Sequence, residues 1–86
     1  MTRRIYANLP QWTDVLIAVY FLGRAPTLTQ ISKEVGILVQ QSTHHINALE
    51  EKGYVTSVYR SKYRYVSITE KGVSVADVLV LLKSLL

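Results

Sequence analysis

The sequence predicts an α+β fold in which three helices precede a β-hairpin and a fourth helix follows it. Three observations support this class. Two helical patterns meet at a short turn at Gly36, a segment rich in tyrosine, valine and arginine follows, and the last 14 residues are mostly apolar. Eighty-six residues are enough for one domain, so we expect 1–86 to fold as a single unit.

The composition narrows the class of protein further. Hydrophobic residues make up 49% of this short chain, which favours an oligomer that completes the core. The net charge of +4 favours a polyanionic partner, although a mildly basic protein without one fits equally well. The lack of cysteine excludes disulfides and zinc fingers and fits a cytoplasmic location. No apolar stretch reaches the roughly 20 residues that cross a membrane, and no signal peptide is evident.

The first helix is expected at about 9–22, before Gly23. Asn8 is a plausible N-cap, and Pro10 is tolerated in the first turn. Only Thr13 and Asp14 are polar between 12 and 22, so the helix should be buried on more than one side.

The second helix begins with a capping box, in which the Thr27 hydroxyl accepts from the Gln30 backbone and the Gln30 side chain reaches back. Gly36 is expected to end the helix in a left-handed conformation. Apolar residues at spacings of three and four form its inner face: Leu28, Ile31 and Val35.

The third helix is expected at about 39–52, with Gly53 as its stop. Ser42, Ile46 and Leu49 share its inner side. The opposite side is polar and carries no Lys or Arg. Its members are Gln40, His44, Asn47 and Glu51, flanked by Gln41 and Thr43.

Two strands are predicted at 54–59 and 63–68, around a tip formed by Arg60, Ser61 and Lys62. The segment from 54 to 69 carries three basic residues and no acidic residue. The turn contains no Gly, Asn or Asp, so the sequence does not fix its type.

The last helix is predicted at 70–86, with Thr69 as its cap. One small domain cannot cover all of its apolar sides, so a partner subunit is expected to do so. The β-branched residues in this stretch also allow a strand, but the cap and the length favour a helix.

Three segments resemble the winged helix–turn–helix regulators, especially the MarR-like and PadR-like groups. They are 27–37, 46–55 (Ile-Asn-Ala-Leu-Glu-Glu-Lys-Gly-Tyr-Val) and 65–72 (Tyr-Val-Ser-Ile-Thr-Glu-Lys-Gly). The short chain looks more like the compact regulators of archaea and their viruses and plasmids. It departs from the pattern at Leu38, where a Ser or Thr N-cap is usual, and at Ser42, where a core valine is common.

The resemblance implies a homodimeric transcriptional regulator that places its third helix in the major groove of duplex DNA. Arg and Lys on the hairpin, or wing, would hold the flanking backbone or enter the minor groove. Two wings with three charges each would neutralise about six phosphates. The logarithm of the binding constant would then fall with the logarithm of the salt concentration with a slope near −5. The expected DNA contacts are Gln40, Gln41, Thr43, His44 and Asn47 on the helix and Arg60, Lys62 and Arg64 on the wing.

The sequence leaves several alternatives open. A solvated helix face is the alternative for the polar residues of the third helix. Because alternate strand residues face opposite sides, the three wing cations need not all reach DNA. The tyrosines of the wing either donate to phosphates or pack across the strands. They are Tyr59, Tyr63 and Tyr65.

Other kinds of site find little support. His44 and His45 are adjacent, and no Cys or further His joins them, so we expect no metal and no cofactor. We also expect that the chain is not an enzyme, because its sequence contains no phosphate-binding loop and no paired carboxylates. The sequence does not reveal a small-molecule effector. The main alternative function is a winged-helix protein-interaction module, and the weaker one is non-specific DNA binding. The expected dimerisation residues are Trp12, Val75, Leu79, Leu82 and Leu86.

Overall fold

Four helices and one antiparallel hairpin account for residues 9–85, which the computed structural model describes. This confirms the predicted α+β class and the order of its elements. The helices and strands are α1 (Gln11–Leu22), α2 (Leu28–Val35), α3 (Val39–Glu51), β1 (Val55–Arg60), β2 (Tyr63–Ile68) and α4 (Glu70–Leu85). No helix in this described range is long and apolar enough to span a membrane.

Helix α1 begins at Gln11, two residues later than predicted. Pro10 is extended, with φ −58° and ψ 149°, and its carbonyl accepts a 2.6 Å hydrogen bond from the Thr13 hydroxyl. Asn8, the predicted cap, lies outside the described residues. The helix is buried along most of its length, as its composition predicts, and Leu16 is completely covered.

The helix–turn–helix is fixed by the local signals that the sequence contains. Thr27 and Gln30 form both hydrogen bonds of the capping box, and Gly36 ends α2 in a left-handed conformation with φ 85°. The hydroxyls of Ser32 and Ser42 lie 2.7 Å apart in the core. Ser42 stands where a core valine is common, and Ser32 on α2 satisfies its buried hydroxyl.

The hairpin pairs Val55 with Ile68 at its base and Arg60 with Tyr63 at its end. Arg60 thus belongs to β1, and only two residues form the turn. The first of them, Ser61, has a φ of 54°, a conformation that usually favours glycine. Because a serine adopts this conformation, the turn contains none of the residues by which such turns are recognised in a sequence.

Helix α4 is helical from its cap onward, so the strand alternative is wrong. The backbone N–H of Gly72 donates to the Thr69 hydroxyl oxygen over 3.0 Å, and that hydroxyl donates to the Gly53 carbonyl over 2.7 Å. A Cβ on Gly72 would collide with the Tyr54 carbonyl. The start of α4 is therefore packed directly against the backbone that leads into β1.

The core lies between the helices and the inner face of the hairpin. Its buried apolar residues are Val15, Leu16, Ala18, Val19, Ile31, Ile46, Leu49, Val55, Val66, Ala76 and Leu79. Every helix and both strands contribute to it, which fixes α3 and the wing relative to each other.

Candidate nucleic-acid interface

The outward face of α3 presents polar side chains to solvent. Gln40, His44 and Asn47 are all exposed, at spacings of four and three along the helix. Burial of Ile46 and Leu49 on the opposite side orients them outward. Amide and imidazole groups in this position are able to hydrogen-bond the edges of DNA bases.

Two further predicted contacts on α3 also serve the helix itself. The Gln41 side-chain oxygen accepts from the Leu38 backbone N–H over 3.0 Å, which compensates for the missing Ser or Thr cap. The Thr43 hydroxyl donates to the Val39 carbonyl over 2.9 Å. Both side chains already hydrogen-bond backbone groups at the start of α3. They are therefore less available for intermolecular hydrogen bonds than Gln40 and Asn47.

The two histidines of α3 differ in their surroundings. His44 is exposed, whereas His45 is half-buried with its Nε2 atom 3.0 Å from the Gln11 side-chain oxygen. Burial lowers the pKa of His45 below its usual value, and the neighbouring His44 lowers it further. The described residues hold no group of three or more potential metal ligands.

A groove of about 420 Å³ separates α3 from the wing. One side is formed by Val39 and Thr43 of α3, and the other by Tyr59 and Lys62 of the wing. The N-terminal turn of α2 also borders the groove, whose lining is mostly apolar with a few hydroxyl groups and the Lys62 ammonium group. The full lining is Thr27, Leu28, Thr29, Val39, Thr43, Tyr59, Lys62, Tyr63 and Arg64.

Arg64 connects the wing to α3 instead of projecting into solvent. Its guanidinium donates to Glu50 over 2.8 Å, and its Nε atom donates to the Ser57 hydroxyl oxygen over 3.0 Å. The Ser57 hydroxyl in turn donates to Glu50 over 3.0 Å. The Arg64 side chain is only 8% exposed, so the guanidinium is occupied within the chain. We call Glu50, Ser57 and Arg64 the clamp.

The other wing cations lie on different sides of the hairpin. Lys62 borders the groove beside α3, whereas Arg60 lines a cavity on the outer face. The strand register places Arg60 on the face opposite to Arg64, whereas Lys62 belongs to the two-residue turn. Tyr59 lies with its ring centroid 5.5 Å from the guanidinium of Arg64 and is otherwise exposed. Tyr65 is half-buried and packs edge-on against Tyr63 at 6.4 Å.

The structure changes which apolar residues are available for a dimer. Leu79 lies in the core of the single chain, with 9% exposure, and Val75 packs against that core. Trp12 stacks on Tyr54 at a centroid distance of 6.5 Å. Leu82 is partly exposed, and Leu86 lies outside the described residues.

A different set of α4 residues faces solvent. Val78, Leu81 and Leu85 are 62%, 61% and 75% exposed, and with Leu82 they form one stripe at helical spacing. The sequence could not distinguish this stripe from the buried side, because α4 is apolar nearly all round. The side that packs on α1 is set by tertiary contacts, including a 2.6 Å ion pair between Lys83 and Asp14.

Comparisons with solved structures place this fold among the winged helix–turn–helix proteins. A MarR-family transcriptional regulator from Rhodococcus sp. RHA1 matches 95% of the chain, with a TM-score of 0.79 and 17% identity. AF1382 from Archaeoglobus fulgidus also matches 95% of it, with a TM-score of 0.76 and 19% identity. FabT from Streptococcus pneumoniae, solved in complex with DNA, matches 81% with a TM-score of 0.63 and 28% identity.

The extent of these matches differs between the proteins. The chain covers 60% of the Rhodococcus protein, 91% of AF1382 and 52% of FabT. No curated protein matches the sequence significantly. The family model described as the DUF6293 C-terminal winged helix domain matches residues 25–80, which include α2, α3, the wing and most of α4. The chain therefore belongs to the DUF6293 C-terminal winged helix domain family.

Proposed function

We propose that this chain is a sequence-specific transcriptional regulator that binds double-stranded DNA as a homodimer in the cytoplasm. The observation that carries the proposal is the exposed polar face of α3 beside a groove bordered by Lys62 of the wing. A major groove about 12 Å wide admits one helix, and a wing beside that helix meets the adjacent backbone. The proposal gives no residue a catalytic role.

Similar proteins support the same function. The Rhodococcus protein is a transcriptional regulator of the MarR family, and FabT was solved in complex with DNA. The net charge of +4 is also consistent with a polyanionic partner.

We assign base selection to the α3 side chains that are most available for new hydrogen bonds. Gln40 and Asn47 carry amides that match the N6 and N7 atoms of adenine, and each good pair contributes about 1–3 kcal/mol of discrimination. His44 adds a donor or an acceptor between them. Gln41 and Thr43 are placed at the edge of the same footprint, where they retain part of their hydrogen-bonding capacity.

Backbone affinity is assigned to Lys62 and Arg60. Because Arg64 is held in the clamp, two wing cations per subunit are free instead of three. A dimer would then neutralise about four phosphates, which gives a log–log salt slope near −3.6 in place of the −5 expected from the sequence. A measured slope distinguishes these two values.

The homodimer is assigned to the exposed stripe of Val78, Leu81, Leu82 and Leu85. Exposed apolar side chains at these spacings favour packing against an equivalent helix. A two-fold dimer would read a pseudo-palindrome with half-sites about 10 bp apart, or a multiple of that distance.

Selection of bound sequences from a random duplex pool tests the proposal, followed by titration of the selected duplex and a random one at equal salt. We expect tighter binding to the selected duplex. Asn47→Ala should reduce this preference. Lys62→Ala should weaken binding to both duplexes equally and make the salt slope less steep. Thr56→Ala, on the wing but away from the groove, is the matched control. Equal affinity for selected and random duplexes would refute sequence-specific regulation.

The same stripe on α4 also favours a second function, a protein-interaction module that docks on a larger assembly. Under that hypothesis, replacing Arg60 and Lys62 with Ala leaves function intact, whereas replacing Leu81 with a charged residue abolishes it. Under the DNA-binding proposal, both changes impair function, so the pair of variants separates the two.

A further inference from the structure

The outer face of the hairpin, opposite to the clamp, carries a cavity of about 320 Å³. Val58 pairs with Tyr65, so their side chains share this face. The cavity has the size and the mostly apolar lining of small-molecule sites. Its lining residues are Arg24, Ala25, Val58, Arg60, Tyr65 and Ser67.

Two guanidinium groups border this apolar cavity without a carboxylate partner. Within residues 9–85, the two ion pairs belong to Arg64 and Lys83, and no acidic side chain lines the cavity. Arg24 and Arg60 are both exposed at its rim. A guanidinium binds carboxylate or phosphate through two parallel hydrogen bonds, so this pair is suited to one small anion.

The loop that carries Arg24 is held in an unusual conformation. Gly23, Arg24 and Ala25 have consecutive φ values of 57°, 49° and 50°, which disfavour residues with a Cβ. The loop is anchored where the Val66 backbone N–H donates to the Pro26 carbonyl over 2.9 Å. Strain of this kind persists where the surroundings fix it, and it is common at ligand sites.

We propose that this cavity binds a small amphipathic anion. Its carboxylate or phosphate group lies between Arg24 and Arg60, and its apolar part packs on Val58 and Tyr65. Val58 is 54% exposed in the free chain, so the ligand covers apolar surface that is otherwise in contact with water. The site is separate from the groove beside α3.

Occupation of the site would also weaken DNA binding, a consequence that rests on the proposed function. Arg60 is one of the two wing cations assigned to phosphates there. An anion that occupies its guanidinium removes that contact, and by linkage DNA weakens the binding of the anion by the same factor.

The binding test uses the full chain without DNA, and binding is monitored by the chemical shifts of the backbone amides in NMR spectra. The probes are 4-phenylbutyrate and phenyl phosphate, with 4-phenylbutan-1-ol and inorganic phosphate to separate the apolar and anionic parts. We expect saturable shifts at Ala25, Val58 and Ser67, with at least tenfold weaker binding of the preferred probe to Arg24→Gln. Arg60→Gln should behave alike, whereas Lys62→Gln, on the same hairpin but outside the cavity, should bind normally.

The proposal is overturned if no probe gives saturable shifts, if the shifts centre on the groove beside α3, or if Arg24→Gln binds as tightly as the wild type. A second arm adds 4-phenylbutyrate to the complex with the selected duplex. We expect a higher apparent Kd for DNA in the wild type and no change in Arg24→Gln. Because the NMR arm contains no DNA, a failure of sequence-specific DNA binding would leave the anion site standing.

Discussion

Removal of the Glu50 carboxylate tests whether the clamp holds the wing on α3. Glu50→Ala leaves the guanidinium of Arg64, whose side chain is only 8% exposed, without its ion-pair partner. The Ser57 hydroxyl loses its acceptor at the same time. A covered cation without a counter-charge is costly, so the folded state should be destabilised.

The exposure of the two partners sets the size of the effect. Exposed ion pairs contribute about 0–1 kcal/mol, whereas breaking a buried pair costs about 3–5 kcal/mol. Arg64 is nearly buried, but Glu50 is 40% exposed and water can reach its side of the pair. We therefore expect a loss of about 2 kcal/mol in unfolding free energy, equivalent to roughly 10 °C in Tm for a domain of this size.

Urea denaturation followed by circular dichroism measures this loss. Glu51→Ala is the matched control, because Glu51 is the exposed neighbour and forms no ion pair within the described residues. The double variant Glu50→Ala with Arg64→Met should lose less than the sum of the single losses, by about 1 kcal/mol. The reasoning fails if Glu50→Ala and Glu51→Ala agree within about 0.5 kcal/mol.

Three further predictions concern the core, the α4 stripe and pH. Ser32→Ala should lower the free energy of unfolding, measured by urea denaturation, by about 2 kcal/mol, because it leaves the buried Ser42 hydroxyl unpaired. If the double variant with Ser42→Ala lost the full sum of the two single losses, this explanation would be contradicted. Leu85→Glu should convert a dimer to a monomer in light scattering, whereas Ser84→Glu should not; a dimeric Leu85→Glu would exclude the stripe as the interface. The pKa of His45, measured by NMR, should lie below its usual value of 6.5. The unfolded chain then binds a proton that native His45 resists, so unfolding free energy should fall as pH decreases below 6.5. His45→Gln should flatten that dependence, and a gain in stability on acidification would refute the assignment.

The parts of the fold that depend on neighbouring residues could be predicted from the sequence. The capping box of Thr27 and Gln30 and the cap at Thr69 each need groups only three residues apart. Gly36 marks a helix end because few other residues adopt its backbone conformation readily. These signals fixed the order of the elements and the helix expected to meet DNA.

Features that depend on distant parts of the chain could not be predicted. Ser32 and Ser42 pair across the helix–turn–helix, and neither shows its partner in the sequence. Arg64 looked like any other wing cation, because its burial depends on how the hairpin packs on α3. Gly72 sits where the backbone of Tyr54 passes too close for a side chain, which only the packed structure reveals.

The clamp also joins the two halves of the proposed DNA interface. Selectivity is assigned to α3, which carries no Lys or Arg, whereas backbone affinity is assigned to the wing. Glu50 lies in the last turn of α3 and Arg64 lies on β2, so their ion pair adds a polar link between wing and helix to the core contacts at the base of the hairpin. In the proposed interface, a phosphate contact made by Lys62 would therefore also set how far Asn47 reaches toward a base edge. If the clamp is broken, the outer half of the wing is held less firmly, so Lys62 would keep its phosphate contact while the base contacts of α3 lose their register. Loss of the clamp should therefore reduce affinity for the selected duplex more than affinity for random duplex.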